Sequence, residues 1–192
     1  MSTFIKVPVE ISARHIHLSK KDLDNLFGRG YKLKKLRSLS QPGMFAAEET
    51  VVICNKQNCL KNVRILGPIR PQTQIEISQT DARALGLKPP LRISEDIRGS
   101  AGCQIKGPKG TIDLKEGVII AWRHLHCPLS FAKKHNLEKR KFVSIKINNQ
   151  RSLTFHKVWL RISPNYRLAF HLDTDEGNAA GVKKIARGYL IL

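Results

Sequence analysis

FVSIKINNQRSLTFHKVWLRIS, residues 142–163, is the stretch whose reading decides the fold. Val143, Ile145 and Ile147 alternate with Ser144 and Lys146, the period of a strand that buries one face. Asn148-Asn149 then supplies hairpin turn chemistry before VWLRIS resumes the strand pattern. Similar runs recur outward from it: VPVEISA, ETVVICN, VRILGPI, TQIEIS, LRIS, GTIDL, VIIAW, LAFHLD and YLIL. Turn signals such as Gln41-Pro42-Gly43 and Gly107-Pro108-Lys109-Gly110 separate them. Many short strands divided by turns predict a mainly β protein, antiparallel and closed into barrels. Helices are expected to be short. One opens at Ser19 ahead of Leu23, Leu26 and Phe27, one spans Thr80 to Leu85 and stops at Gly86, and a third covers Ser130 to Asn136.

A chain of 192 residues holds one ordinary domain or two small ones. Thirty-four Lys and Arg against 15 Asp and Glu give a formal charge of +19, an attraction for phosphate-bearing partners. The basic residues are scattered along the chain and aromatic residues are few. A nucleic-acid stacking platform is therefore not expected, and no specific nucleic-acid partner is assigned. No apolar run approaches the roughly 20 residues of a membrane span, so no membrane partner is expected and the cytoplasm is the expected compartment. Cys54, Cys59, Cys103 and Cys127 match no extracellular disulfide scaffold and are read as free thiols.

A short pattern occurs twice, Ala13-Arg14-His15-Ile16-His17 and Trp122-Arg123-His124-Leu125-His126. On a strand, histidines two apart project from the same face while Ile16 or Leu125 points the other way, which suits chelation. His171 stands inside an apolar run and precedes a carboxylate-rich turn. Glu76 shares a strand face with Gln74 and Ser78, opposite Ile75 and Ile77. A lone histidine on a strand is ordinarily a satisfied core or surface residue, and spacing alone makes Glu76 an exposed carboxylate. Two copies of the pattern and an embedded fifth histidine weigh toward metal.

These motifs resemble the PduL-type phosphotransacylases, the phosphate propanoyltransferases. The blocks that carry the resemblance are VEISARHIHLS from Val9, Gly67-Pro68-Ile69-Arg70 leading into TQIEIS from Thr73, Thr80-Asp81-Ala82, AWRHLH from Ala121, and FHLDTDEGNAAG from Phe170. The resemblance implies two small β-barrel domains capped by short helices, with the active site where they meet. The first domain would be discontinuous, residues 1–13 plus 122–192, and residues 14–121 would form the inserted second one. It implies two zinc ions, one held by His15, His17 and Glu76 and the other by His124, His126 and His171. Arg70 is similar to the family's phosphate-binding, catalytic arginine. Ile11, Ser12, Ala13, Arg64 and Asn178 resemble positions that contact coenzyme A.

The implied reaction joins a short-chain acyl-CoA, propanoyl or acetyl, to inorganic phosphate, giving acyl phosphate and CoA. A zinc-dependent hydrolase of a thioester or phosphoester is the alternative. The sequence leaves the oligomeric state open, and a homodimer is compatible with it. The chain starts close to the first motif, without the N-terminal amphipathic peptide of microcompartment enzymes, which adds to the expectation of a cytosolic protein. It departs from the family pattern at Glu95, where a glycine is expected, and at Cys127, where a methionine is. Glu95 is expected to alter a loop that glycine would permit, and Cys127 to stand beside the metal as a soft ligand or a bystander.

Overall fold

The computed structural model describes residues 5–183 and 186–192. The protein is mainly β and divides into two compact units. One comprises the residues up to Ser12 together with Ser40–Pro42 and Trp122–Leu192, and the other Ala13–Leu39 with Gly43–Ala121.

The first unit is a closed six-stranded barrel. Its strands are β1 (Ile5–Ile11), β10 (His124–Pro128), β11 (Phe142–Ile147), β12 (Leu153–Ser163), β13 (Ala169–Leu172) and β14 (Ala186–Ile191), in the order β1-β13-β10-β12-β11-β14. The alternation in the 142–163 stretch does what its period requires, because Val143, Ile145 and Ile147 all enter the core with Phe155, Val158 and Leu160. β10 and β13 run antiparallel, pairing Leu125 with Phe170 and His124 with His171. Leu125 and Phe170 are fully buried in the barrel core, so the histidines beside them in sequence take the other face of the sheet. Two short helices accompany this barrel, α3 (Leu129–Lys134) and α4 (Thr174–Ala179).

The second unit is also a ring of six strands: β2 (His15–His17), β4 (Phe45–Asn55), β5 (Asn58–Gly67), β6 (Gln74–Glu76), β8 (Ala101–Lys106) and β9 (Thr111–Ala121). The path β4-β5-β2-β6-β9 is closed by β8, which pairs with both β4 and β9. Two further strands, β3 (Lys35–Ser38) and β7 (Leu91–Arg92), pair with β4 and β9. Ile16, Ile65, Ile75, Ile53 and Ile105 fill this barrel. Its helices are α1 (Lys20–Phe27) and α2 (Gln79–Leu85). Ser19 and Ser78 cap them by accepting from the backbone N–H of Asp22 and Asp81, and α2 ends at Gly86 in the left-handed conformation. Among the described residues no helix is long and apolar enough to cross a membrane.

Several expectations are corrected. GTIDL and VIIAW are one strand, bent at Gly117, whose φ of 141° suits a glycine. Opposite the bend the register with β8 shifts between Ala101 and Cys103, a bulge that accommodates the extra residues. The carboxylate-rich turn after His171 is helix α4, opened by a capping box in which Asp173 and Glu176 satisfy each other's backbone N–H. Cys54 and Cys59 are not free thiols. The β4–β5 hairpin sets them directly opposite one another and they form a disulfide, whereas Cys103 and Cys127 are free and buried. Thiol titration of the denatured chain is expected to find two free groups before reduction and all four cysteines after it. Four before reduction would remove the bridge.

Candidate metal centres

Each barrel carries one ligand cluster, built from the strand that bears its His-x-His and that strand's antiparallel neighbour. In the second barrel, His15 of β2 lies opposite Glu76 of β6, and His17 lies opposite Gln74. One ligand atom from each of His15, His17 and Glu76 can be chosen so that all lie within 4.8 Å of one another, and all three residues are buried. Glu76 is 8 % exposed, so it is not the solvent-facing carboxylate that its spacing suggests. Its Oε1 accepts from Gln74 Nε2 at 2.6 Å and from Ser94 Oγ at 2.8 Å, while Oε2 stands 3.5 Å from His15 Nε2. His15 Nδ1 meets the Ala13 carbonyl at 2.8 Å, which fixes the ring and leaves Nε2 on the side of Glu76.

In the first barrel, His124, His126 and His171 converge by the same 4.8 Å criterion. The rings of His124 and His171 stack with centroids 5.1 Å apart, and His126 packs edge-on against them at 4.6 and 4.8 Å. The Trp122 carbonyl holds His124 Nδ1 at 2.9 Å, and Ser12 Oγ holds His171 Nδ1 at 3.2 Å. The repeated pattern thus extends beyond the histidines. The first histidine of each pair is oriented by the carbonyl two residues before it. The arginine between them pairs with a helix carboxylate, Arg14 with Asp81 at 2.7 Å and Arg123 with Glu176 at 2.6 Å.

Both clusters suit a borderline-soft divalent cation. His17 Nδ1 and His126 Nδ1 are buried, each without a hydrogen-bond partner among the described residues, an arrangement that costs stability unless something else meets the lone pair. Burial, then electrostatic repulsion from neighbouring His15 and Arg70, push His17 down to about 3 against the opposing effect of Glu76. Burial, then His124, His171 and Arg161, push His126 down to about 2. Both rings are therefore neutral at neutral pH and keep the lone pair a metal needs.

Arg70 follows β5 in the second barrel, after Gly67, which has no room for a side chain beneath the Phe45 ring. The Arg70 backbone N–H donates to the Leu18 carbonyl at 2.9 Å, and its Nη1 donates to Ser94 Oγ at 3.3 Å. Ile11, Ser12 and Asn178 belong to the first barrel. Ile11 packs over Gly177, the neighbour of Asn178 on α4, and Ser12 orients His171. Ala13 and Arg64 belong to the second barrel. Arg64 pairs in register with His15 and donates through Nη1 to the carbonyls of Ala47 and Glu48.

Glu95 adopts a φ of 85°, a conformation glycine favours, and its N–H donates to Gln74 Oε1 at 2.6 Å, an anchor that offsets the cost of a side chain there. Cys127 is not among the cluster ligands. It is fully buried in the core of the first barrel, and burial pushes its thiol up to about 11. Gln74 and Ser94, which hold Glu76, are not among the residues that the sequence singles out. Gln74 carried a signal in sharing the Glu76 face, and Ser94, distant in the chain, carried none.

Fold and residue sets together define a class: two small β-barrels, each carrying a group of three side chains whose ligand atoms lie close enough together to hold a cation. The family model for phosphate propanoyltransferase matches residues 8–183. A phosphate propanoyltransferase of Listeria monocytogenes is 45 % identical over 185 residues, covering 96 % of this chain and 87 % of the relative. The enzyme of that name from Shewanella putrefaciens is 49 % identical over 178 residues, covering 92 % and 83 %. That from Thermotoga maritima is 45 % identical over 173 residues, covering 90 % and 82 %. The chain belongs to the phosphate propanoyltransferase family, a family of acyltransferase enzymes.

Proposed function

We propose that the protein is a phosphotransacylase that interconverts a short-chain acyl-CoA and inorganic phosphate with acyl phosphate and CoA, with propanoyl or acetyl as the acyl group and zinc at both clusters. His15, His17 and Glu76 would hold one ion, and His124, His126 and His171 the other, a nitrogen and carboxylate donor set that zinc favours. Bound there, zinc supplies Lewis acidity and a soft partner for a thiolate.

The observation that carries this reading is the chain of hydrogen bonds running from Arg70 through Ser94 to Glu76. It ties a permanently charged guanidinium to the carboxylate of a cation cluster, so an anion gripped by Arg70 is held beside that cluster. Arg70 can engage two phosphate oxygens at once and stays charged at any working pH. The held phosphate presents a third oxygen to the thioester carbonyl carbon. A C–O bond forms, the C–S bond breaks, and CoA departs as the thiolate. Ser94 and Gln74 keep Glu76 in one orientation, while the carbonyls of Ala13 and Trp122 and the Ser12 hydroxyl keep three imidazoles in theirs. Ile11, Ser12, Ala13, Arg64 and Asn178 would contact coenzyme A. The Cys127 thiol, raised by burial, is a poor nucleophile, which favours direct transfer over an acyl-enzyme.

The test is release of free CoA from propanoyl-CoA and acetyl-CoA, with and without phosphate, beside metal analysis of the purified protein. Release is expected only with phosphate, with acyl phosphate formed in equal amount. Equal release in phosphate-free buffer would show a hydrolase and overturn the reading.

A further inference from the structure

In the first barrel, Glu10 of β1 lies opposite His171 of β13. Its Oε2 stands 3.6 Å from His171 Nε2. Because Ser12 holds Nδ1 of that ring, Nε2 is the nitrogen left for a cation. Two donors bound to one tetrahedral zinc at about 2.0–2.1 Å stand about 3.4 Å apart, so the spacing of Glu10 and His171 is close to that of two ligands of one ion, while Glu10 lies outside the 4.8 Å set of His124, His126 and His171 and would have to turn toward the other two rings to join it. The second barrel repeats the relation, with Glu76 directly across from His15 and its Oε2 3.5 Å from His15 Nε2. Glu10 is also fixed from outside, since Ser40 Oγ donates to its Oε2 at 2.6 Å. Ligating carboxylates ordinarily carry such a hydrogen bond.

We propose that Glu10 is a further protein ligand of the cation at His124, His126 and His171, giving the first barrel a three-histidine, one-carboxylate site. The proposal rests on the metal reading given above and adds to it the ligand that completes the set. A fourth, anionic donor lowers the net charge of the loaded site and tightens its hold on a divalent ion. It also occupies the position that three histidines alone would leave to water or substrate. The Glu10 side chain is 36 % exposed, so an incoming ligand can reach and displace it.

The test compares the full-length wild type with Glu10→Gln, which keeps the shape of the side chain and its bond to Ser40, and with Glu10→Ala. Each is loaded with zinc for chelator competition and with cobalt(II) for its visible absorption spectrum. The wild type is expected to hold two equivalents. In both variants one equivalent should pass to the chelator about 10- to 100-fold more readily while the other is retained as in the wild type. The cobalt spectrum should change for one ion only. Circular dichroism of the metal-free chains shows whether each variant is folded, and Glu10→Gln is the decisive one if Glu10→Ala is not. Two equivalents held with wild-type affinity and an unchanged cobalt spectrum in Glu10→Gln would overturn the role of Glu10 alone. A wild type that holds no cation would overturn the metal reading and this proposal together.

Discussion

His126→Ala is expected to leave a folded chain that binds one zinc equivalent fewer and has lost nearly all phosphate-dependent CoA release. His126 packs at the centre of its cluster, against both His124 and His171, and its Nδ1 is a buried atom with no hydrogen bond among the described residues to lose. Folding therefore loses packing against Tyr166 and the neighbouring rings but no satisfied polar contact. A cation would lose one of its three imidazoles. Removing a single preorganised electrostatic group commonly costs about 10²- to 10³-fold in rate, and the loss here should be at least that large. Metal analysis and CoA release measured on the same preparation check it. Full metal content with full activity would show that the three-histidine cluster is not a metal centre.

Arg70→Ala should act differently, raising the phosphate concentration needed for half-maximal rate while both metal equivalents remain. Two charge-assisted hydrogen bonds at about 1.5–3 kcal/mol each would be lost, enough for at least a 10²-fold rise in the phosphate requirement. The metal cluster should survive because Ser94 still donates to Glu76 and still accepts from Gln74 after the arginine is gone. Arg70→Lys should recover part of the loss, since an ammonium keeps the charge without the planar fork. Initial rates across a phosphate series, with zinc measured in parallel, separate the outcomes. Wild-type phosphate dependence in Arg70→Ala would refute the role.

The features legible in the sequence are those governed by local period. Residues 142–163 alternate because one face meets a core, and His15 with His17 share a face because Ile16 has to be buried between them. What was not legible depends on partners distant in the chain. β3 has all four residues exposed and no apolar alternation, so only pairing with β4 makes it a strand. β8 holds two fully fledged core residues, Cys103 and Ile105, too few to stand out by period. Glu76 looks exposed by spacing, and its burial follows from pairing with β2 on one side and β9 on the other. For α4 a signal was present, the Asp173-x-x-Glu176 box, but Gly177 inside the helix weakens local propensity and the carboxylates suggest a turn.

The split of the first barrel sets an order for assembly during synthesis. Val9 must wait for Phe170 to emerge from the ribosome before their strands can pair, whereas the ring from β2 to β9 is complete once residue 121 is out. His15, His17 and Glu76 can therefore come together on a nascent chain that still lacks His124, His126 and His171. The two ligand sets are born at different times, and a cation captured by the early one would stabilise a half-made protein while the later half is still being translated.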